Sequence, residues 1–257
     1  MKNTVRPKKF LGQHFLRDKT IARKIVNSLT GFGNYDQVLE IGPGTGVLTR
    51  FLLSDGKFAW NGVELDRDSI EYLQEEFAGI NHNLIEDDFL KIEIEKVSGG
   101  RPIAIIGNFP YNISSQIIFK VIENSHLVPE LVGMFQKEVA LRIAAPPGNK
   151  TYGILSVLTQ AYFNVEMLFV VDEHVFDPPP KVKSAVIRMK RKQEPLPCEN
   201  GKLRNVVKTA FNQRRKTLRN SLKGLDINWA SLPLDFRGKR PEQLTLVDFF
   251  LIAINCN

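Results

Sequence analysis

The string Gly107-Asn-Phe-Pro-Tyr-Asn112 has residue types suited to chemistry on a nucleobase amine. An exocyclic amine is a poor nucleophile because its lone pair is delocalised into the ring. Two acceptors, the Asn108 side-chain oxygen and the Pro110 carbonyl, can hold its two hydrogens and favour a tetrahedral nitrogen aimed at an electrophile. Tyr111 offers a face on which the base can stack, with Phe109 as a second apolar surface in the base pocket. The plainer reading of the same residues is a turn, which Asn and Pro favour. Upstream, Glu40-Ile-Gly-Pro-Gly-Thr-Gly46 places Gly42 and Gly44 in a chain that can turn sharply and pass close to a ligand. Its Gly-x-Gly-x-Gly spacing differs from the Gly-x-Gly-x-x-Gly of nicotinamide enzymes. In Val63-Glu-Leu-Asp66, Glu64 ends an apolar run and is placed to accept hydrogen bonds from both hydroxyls of a ribose. Asp66 serves as well as a helix N-cap. The three acids Glu86, Asp87 and Asp88 offer an acceptor for an adenine amino group, or form a solvated loop. Together these segments favour an adenosine-containing cofactor.

Such residues need elements to position them. The apolar runs Val38–Ile41, Phe58–Val63, Asn83–Ile85, Ile103–Ile106 and Leu131–Phe135 suit strands buried on both faces. Helix-like stretches such as 68–77 and 114–123 lie between them. This alternation predicts an open, doubly wound α/β sheet, whose ligands bind at the carboxyl ends of the strands. The runs 165–171 and 185–189 flank Asp177-Pro-Pro-Pro180 and predict an antiparallel pair joined by a stiff loop. Residues 1–190 therefore read as one α/β domain with a basic N-terminal arm, 191–200 as a linker and 201–257 as a small helical domain. In the last, Leu203, Val206, Val207, Ala210 and Phe211 share a helical face that breaks near Asn212.

Charge is unevenly spread along the 257 residues, whose formal net charge is +7. Met1–Lys24 carries eight Lys/Arg and one acid, and Lys181–Lys223 carries 14 and two, whereas the stretch between them is acidic, with ten and 21. Two basic flanks of this density read as a footprint for a phosphate backbone more readily than as a solvated face. A membrane surface is disfavoured because no broad apolar face with anchoring aromatics adjoins them. No apolar run approaches the ~18 residues that cross a bilayer, no stretch of signal-peptide length follows the N-terminus, and Cys198 and Cys256 are far apart. A cytoplasmic protein is expected, a monomer docking on RNA. The histidines at 14, 82, 126 and 174 lack metal spacing.

The motifs Leu11-Gly-Gln-His-Phe-Leu16, Glu40-Ile-Gly-Pro-Gly44, Val63-Glu-Leu-Asp66, Gly107-Asn-Phe-Pro-Tyr-Asn112, Gln136-Lys-Glu138, Phe176-Asp-Pro-Pro-Pro-Lys-Val182 and Phe211-Asn-Gln-Arg-Arg-Lys-Thr217 span nearly the whole chain. Together they resemble the ribosomal RNA adenine dimethyltransferase family, the bacterial kasugamycin-sensitivity methyltransferases and their relatives. The resemblance implies a class I, Rossmann-like methyltransferase sheet with S-adenosylmethionine as methyl donor and no metal. It also implies dimethylation of two adjacent adenosines near the 3′ end of 16S rRNA within the small ribosomal subunit, in late subunit biogenesis. Cofactor contacts map to His14, Leu16, Gly42, Glu64, Asp88 and Asn108. His14 stands where the family often has Asn, which a main-chain role tolerates. Phe176 becomes a candidate second wall of the base pocket, with a core position as its plainer reading. Arg214, Arg215, Lys216 and Arg219 become candidate phosphate contacts.

Three rivals remain at this stage. A resistance-type methylase of large-subunit rRNA would share the cofactor and Asn-apolar-Pro-Tyr motifs, but segment 211–222 favours the small-subunit family. An assembly factor whose binding is the needed activity is compatible with the same sequence. A nicotinamide oxidoreductase is disfavoured by the glycine spacing and by the Asn-Phe-Pro-Tyr string.

Overall fold

The computed structural model describes residues 5–257; Met1–Thr4 of the basic arm lie outside the described residues. In chain order the strands are β1 (Phe15–Leu16), β2 (Gln37–Ile41), β3 (Ala59–Glu64), β4 (Leu84–Glu86), β5 (Ala104–Asn108), β6 (Glu130–Gln136), β7 (Phe163–Val171), β8 (Phe176–Asp177) and β9 (Ser184–Arg191). The helices are α1 (Lys19–Val26), α2 (Thr49–Asp55), α3 (Arg67–Glu76), α4 (Ile94–Ser98), α5 (Ser114–Glu123), α6 (Lys137–Ile143), α7 (Ile154–Tyr162), α8 (Asn200–Asn212), α9 (Leu218–Ser221) and α10 (Leu246–Ile254).

Seven strands form one sheet in the order β4-β3-β2-β5-β6-β9-β7. The first five in that order pair in parallel, and β9 joins β6 antiparallel. The continuous apolar runs explain this: every residue of β2 is buried, as are Ala104–Gly107 of β5 and Glu130–Phe135 of β6. Such strands need a helix layer on each face, and the intervening helices supply it. Registers Glu40↔Ile106, Ile41↔Val63 and Glu64↔Glu86 bring the carboxyl ends of β2 to β5 to one edge. There β2 turns into its glycines, and Glu64 and Asn108 end their strands. The cis Asp177–Pro178 bond follows β8, which returns to pair with β1 rather than continuing the large sheet.

The chain divides into two compact units: residues to Ala140 with Val165–Arg191, and Leu141–Asn164 with Lys192–Asn257. Segment 141–164, expected in the first domain, belongs instead to the second unit. The reason is α7, which buries Leu155, Val157, Leu158 and Ala161 and packs on α8 and α10. Within this unit Phe211 lies between Tyr152 and Phe249, with ring centroids 6.0 and 5.8 Å away. Helix α8 ends at Asn212, at the break its periodicity predicted.

Candidate active site

A pocket opens at the carboxyl edge of the parallel strands, walled by the turn after β2, the ends of β3 to β5 and the segment before β1. Gly42 and Gly44 have φ of +63° and +57°, the left-handed region that favours glycine. No atom lies within 4 Å of where a Cβ on Gly42 would stand, so a ligand has room to approach this backbone closely. At Gly44 that position is 2.9 Å from the Phe15 ring, which sits on the turn.

Glu64 organises the same turn. Its Oε2 accepts from the Gly44 N–H at 2.9 Å, and Oε1 accepts from those of Leu65 and Asp66 at 2.9 and 3.0 Å. Burial pushes its carboxyl above the usual carboxylate range, against the pull of these three donors. Asp66 instead caps α3, accepting from the Asp68 N–H and the Ser69 hydroxyl at 3.3 and 3.1 Å. It also pairs with Lys8 and accepts from Gln13 Nε2 at 3.0 Å. Burial opposes its ionisation, but hydrogen bonds led by Lys8 prevail and hold it below its ordinary value. The two acids of this motif are thereby separated: Glu64 lines the pocket and Asp66 faces the N-terminal segment. Glu40, two residues before Gly42, accepts from Thr49 Oγ1 and Trp60 Nε1 at 2.7 and 2.8 Å, and burial pushes it up to about 7. Asp87 and Asp88 both border the pocket. The open space at Gly42, the strand-end carboxylate Glu64 and these two acids fit an adenosine-bearing cofactor.

On the opposite wall, Asn108 Nδ2 donates to the His14 carbonyl at 2.8 Å. Because that partner is a carbonyl, the amide orientation is fixed and Oδ1 remains as the acceptor. The Pro110 carbonyl already accepts from Ser114 Oγ at 3.1 Å and from the Ile113 N–H at 3.3 Å, leaving Asn108 the less encumbered acceptor of the two. Tyr111 is fixed at both ends: its hydroxyl bonds Ser184 Oγ at 2.5 Å, and the His14 ring stacks on it at 5.2 Å between centroids. Burial raises the Tyr111 phenol above its ordinary value, so the stacking ring stays neutral. His14 Nδ1 lies 2.7 Å from the Pro178 carbonyl, to which it must donate. His14 therefore acts through both main chain and ring.

Three other candidate residues have buried side chains. Phe109 borders the pocket, but it is 1% exposed, packs edge-on to Phe135 and fills the space above Gly107 and Gly133, so its ring belongs to the core beneath the pocket. Phe176 and Leu16 are neighbours in the β1–β8 pairing, and their side chains also lie in the core. Their apolar character is explained by burial, which a motif alone does not distinguish from ligand contact.

In the second unit, Arg215, Lys216 and Arg219 are exposed, whereas Arg214 lies 3.7 Å from Glu242, within ion-pair range. The basic N-terminal arm is likewise less free than its composition implies: Lys8 pairs with Asp66 and Asp68, Arg17 with Asp177, and Arg23 with Asp55.

Sequence reasoning missed how the segment from Lys8 to Phe15 is anchored to Asp66 beside the pocket, and the role of Ser184. The signal for the former was the polar pair Gln13 and His14 between the apolar residues Leu11 and Phe15. Ser184 gave none, since its partner lies 73 residues away.

Comparison with known proteins agrees with this architecture. The family model described as ribosomal RNA adenine dimethylase matches residues 4–231. A protein of Cytophaga hutchinsonii named ribosomal RNA small subunit methyltransferase A is 53% identical over 247 residues, covering 96% of this chain and 95% of that one. A Bacteroides thetaiotaomicron protein of the same name is 53% identical over 251 residues, covering 97% and 93%. Among solved structures, a dimethyladenosine transferase from Plasmodium falciparum superposes with a TM-score of 0.76 at 28% identity, covering 93% of this chain and 96% of that one. The 23S rRNA methyltransferase ErmE gives 0.69 at 27%, covering 93% and 99%. The fold is that of the class I S-adenosylmethionine-dependent methyltransferases, and with the glycine turn, Glu64 and Asn108 all at its ligand-binding edge, the chain belongs to the ribosomal RNA adenine dimethylase family.

Proposed function

We propose that this protein dimethylates the N6 amines of two adjacent adenosines near the 3′ end of 16S rRNA, within the small ribosomal subunit in the cytoplasm, acting as a monomer. The observation that carries the amine chemistry is the Asn108–His14 bond, which leaves Oδ1 as an acceptor at the strand end beside Tyr111. When bound, S-adenosylmethionine would supply a methyl carbon made electrophilic by its sulfonium sulfur, which leaves as a thioether, so the transfer calls for no metal. Gly42, Gly44 and Glu64 would hold its ribose end, with Asp88 the acceptor for its adenine amine. The residues around Asn108 act on the substrate. Asn108 Oδ1 holds one amine hydrogen and turns the nitrogen lone pair out of conjugation. Tyr111, one face taken by His14, presents the other to the base. Attack leaves the nitrogen cationic, and it sheds one proton to water without a strong general base; after a first methylation the amine retains one N–H, so the same acceptor still has a partner. Small-subunit preference is supported by relatives of that name at 53% identity, against 27% for the 23S methyltransferase.

The test is incubation of the full chain with labelled S-adenosylmethionine and small subunits lacking the modification, followed by nucleoside analysis. The expected product is N6,N6-dimethyladenosine in the small-subunit RNA. Label confined to large-subunit RNA, or tight subunit binding without label, would favour the resistance-type or the assembly-factor reading.

The second unit supplies the RNA surface in this reading. Neutralising Arg215, Lys216 or Arg219 should weaken RNA binding and lower the log–log salt slope by about 0.7–0.9 per contact, leaving cofactor affinity unchanged. Arg214→Ala should instead lower the melting temperature and leave the slope alone, because its partner Glu242 is half-buried and has a buried Oε2 that accepts no hydrogen bond. Salt titrations of RNA binding beside melting curves check both. Loss of stability in all four variants with an unchanged slope would make the cluster architectural.

A further inference from the structure

Residues Leu11–Phe15 line the pocket, and the turn that leads into them has an outward side that the proposed reaction does not use. Phe10 is 78% exposed, at the centre of the short 3₁₀ turn Lys9–Leu11. A bulky aromatic held in water is unfavourable, and here the turn around it is tightly built. The Leu11 and Gly12 N–H groups donate to the Lys8 and Lys9 carbonyls at 3.1 and 3.0 Å, and the Lys8 N–H donates to Gln13 Oε1 at 2.8 Å, closing the loop across Phe10. Both ends of that loop are fastened to one buried carboxylate, since Lys8 Nζ and Gln13 Nε2 each reach Asp66. The turn also abuts the catalytic wall: a Cβ on Gly12 would stand 2.6 Å from Asn112 Oδ1, next in sequence to Tyr111. Arg6 and Lys9, on either side, are exposed.

We infer that Phe10 is a stacking platform for the nucleotide next to the adenosine held at Asn108 and Tyr111. This rests on the proposed RNA substrate. An adenosine can reach Asn108 only if it leaves its own stack, which strips a neighbouring base of one stacking partner. An exposed aromatic on a pre-ordered turn at the pocket edge replaces that partner at little entropic cost, and flanking cations suit the backbone beside it. Because the same loop is tied to Asp66, the segment that lines the cofactor pocket also receives the RNA.

Three full-length variants test this on small subunits lacking the modification: Phe10→Ala, Phe10→Leu and Phe10→Trp. Losing one base stack should lower kcat/KM for the subunit by about ten-fold or more in Phe10→Ala. Affinity for S-adenosylmethionine, measured by calorimetry without RNA, should stay within about two-fold. Phe10→Trp should restore kcat/KM, and Phe10→Leu, apolar but not aromatic, should not. Wild-type kcat/KM in Phe10→Ala, equal rescue by Leu and Trp, or a matching loss of cofactor affinity would each overturn the proposal. If the wild-type chain itself left the subunits unmethylated, the substrate reading would fall and take this one with it.

Discussion

Asn108→Ala should lower the rate of methyl transfer by about 10²–10³-fold while RNA affinity changes far less. The magnitude is that of removing one positioned polar group from a site where it acts mainly in the transition state. Oδ1 is worth little to a planar, conjugated amine in the ground state and most when the nitrogen has turned toward tetrahedral. The substitution also strips the His14 carbonyl of its donor at 2.8 Å, so some loosening of the N-terminal segment is expected, with a modest fall in cofactor affinity. Asn108→Asp separates the two effects. It keeps an acceptor but sets a carboxylate oxygen against that carbonyl, so it should release the segment even more than Ala does. Single-turnover rates at saturating cofactor, beside filter binding of RNA, give the comparison. Turnover near wild type in Asn108→Ala would remove amine orientation from the mechanism and leave Asn108 as an anchor for His14.

The parallel sheet was legible because its physics is local. A run such as Ile103–Ile106 is apolar on both faces, which only a central strand between helix layers requires, and it forms β5. The helix over 114–123 coincides with α5. Residues 141–164 show the boundary of that reasoning. Periodicity marks α7 as apolar and in need of cover, but which element covers it is a long-range fact, and α8 does so from about 40 residues on.

At the site, the residues whose roles depend on backbone geometry were the readable ones. Gly42 and Gly44 adopt the positive φ that their spacing suggested, and Glu64 and Asn108 end the strands expected of them. The aromatic and basic candidates divided differently. Phe109 and Phe176 went to the core because an aromatic has one apolar signature for two destinations. Lys8 and Arg214 met carboxylates distant in sequence, which no charge count along the chain can anticipate. The N-terminal segment combines both lessons. Its motif pointed to the cofactor and its charge to RNA, and the structure turns one side to Asp66 and Asn108 while exposing Phe10.

Glu64→Ala tests whether the pocket and the fold can be separated at all. A carboxylate that served only a ribose would leave the apo protein untouched when removed. Glu64 also accepts three backbone N–H groups, from Gly44, Leu65 and Asp66, so its loss leaves those donors facing a pocket that water must enter to satisfy them. A stability loss of about 2–4 kcal/mol is expected, since each unpaired buried donor costs about 1–3 kcal/mol and water recovers part of it. Loss of charge-assisted bonds to the ribose should further weaken S-adenosylmethionine by about 1.5–3 kcal/mol, roughly 10- to 150-fold in Kd. Glu64→Gln divides the two contributions, because it keeps one oxygen for the turn and loses the charge. Burial holds the Glu64 carboxyl above its ordinary value of 4.5, so as pH rises past that point the unfolded chain releases this proton before the folded one. The wild type should therefore lose stability relative to Glu64→Gln as pH rises from about 4.5. Calorimetry for the cofactor and denaturant titrations across that pH range measure both quantities. If Glu64→Ala loses cofactor affinity with no fall in stability, the three N–H bonds are incidental and the carboxylate belongs to the ligand alone. A fall in stability with full cofactor affinity would assign it wholly to the turn.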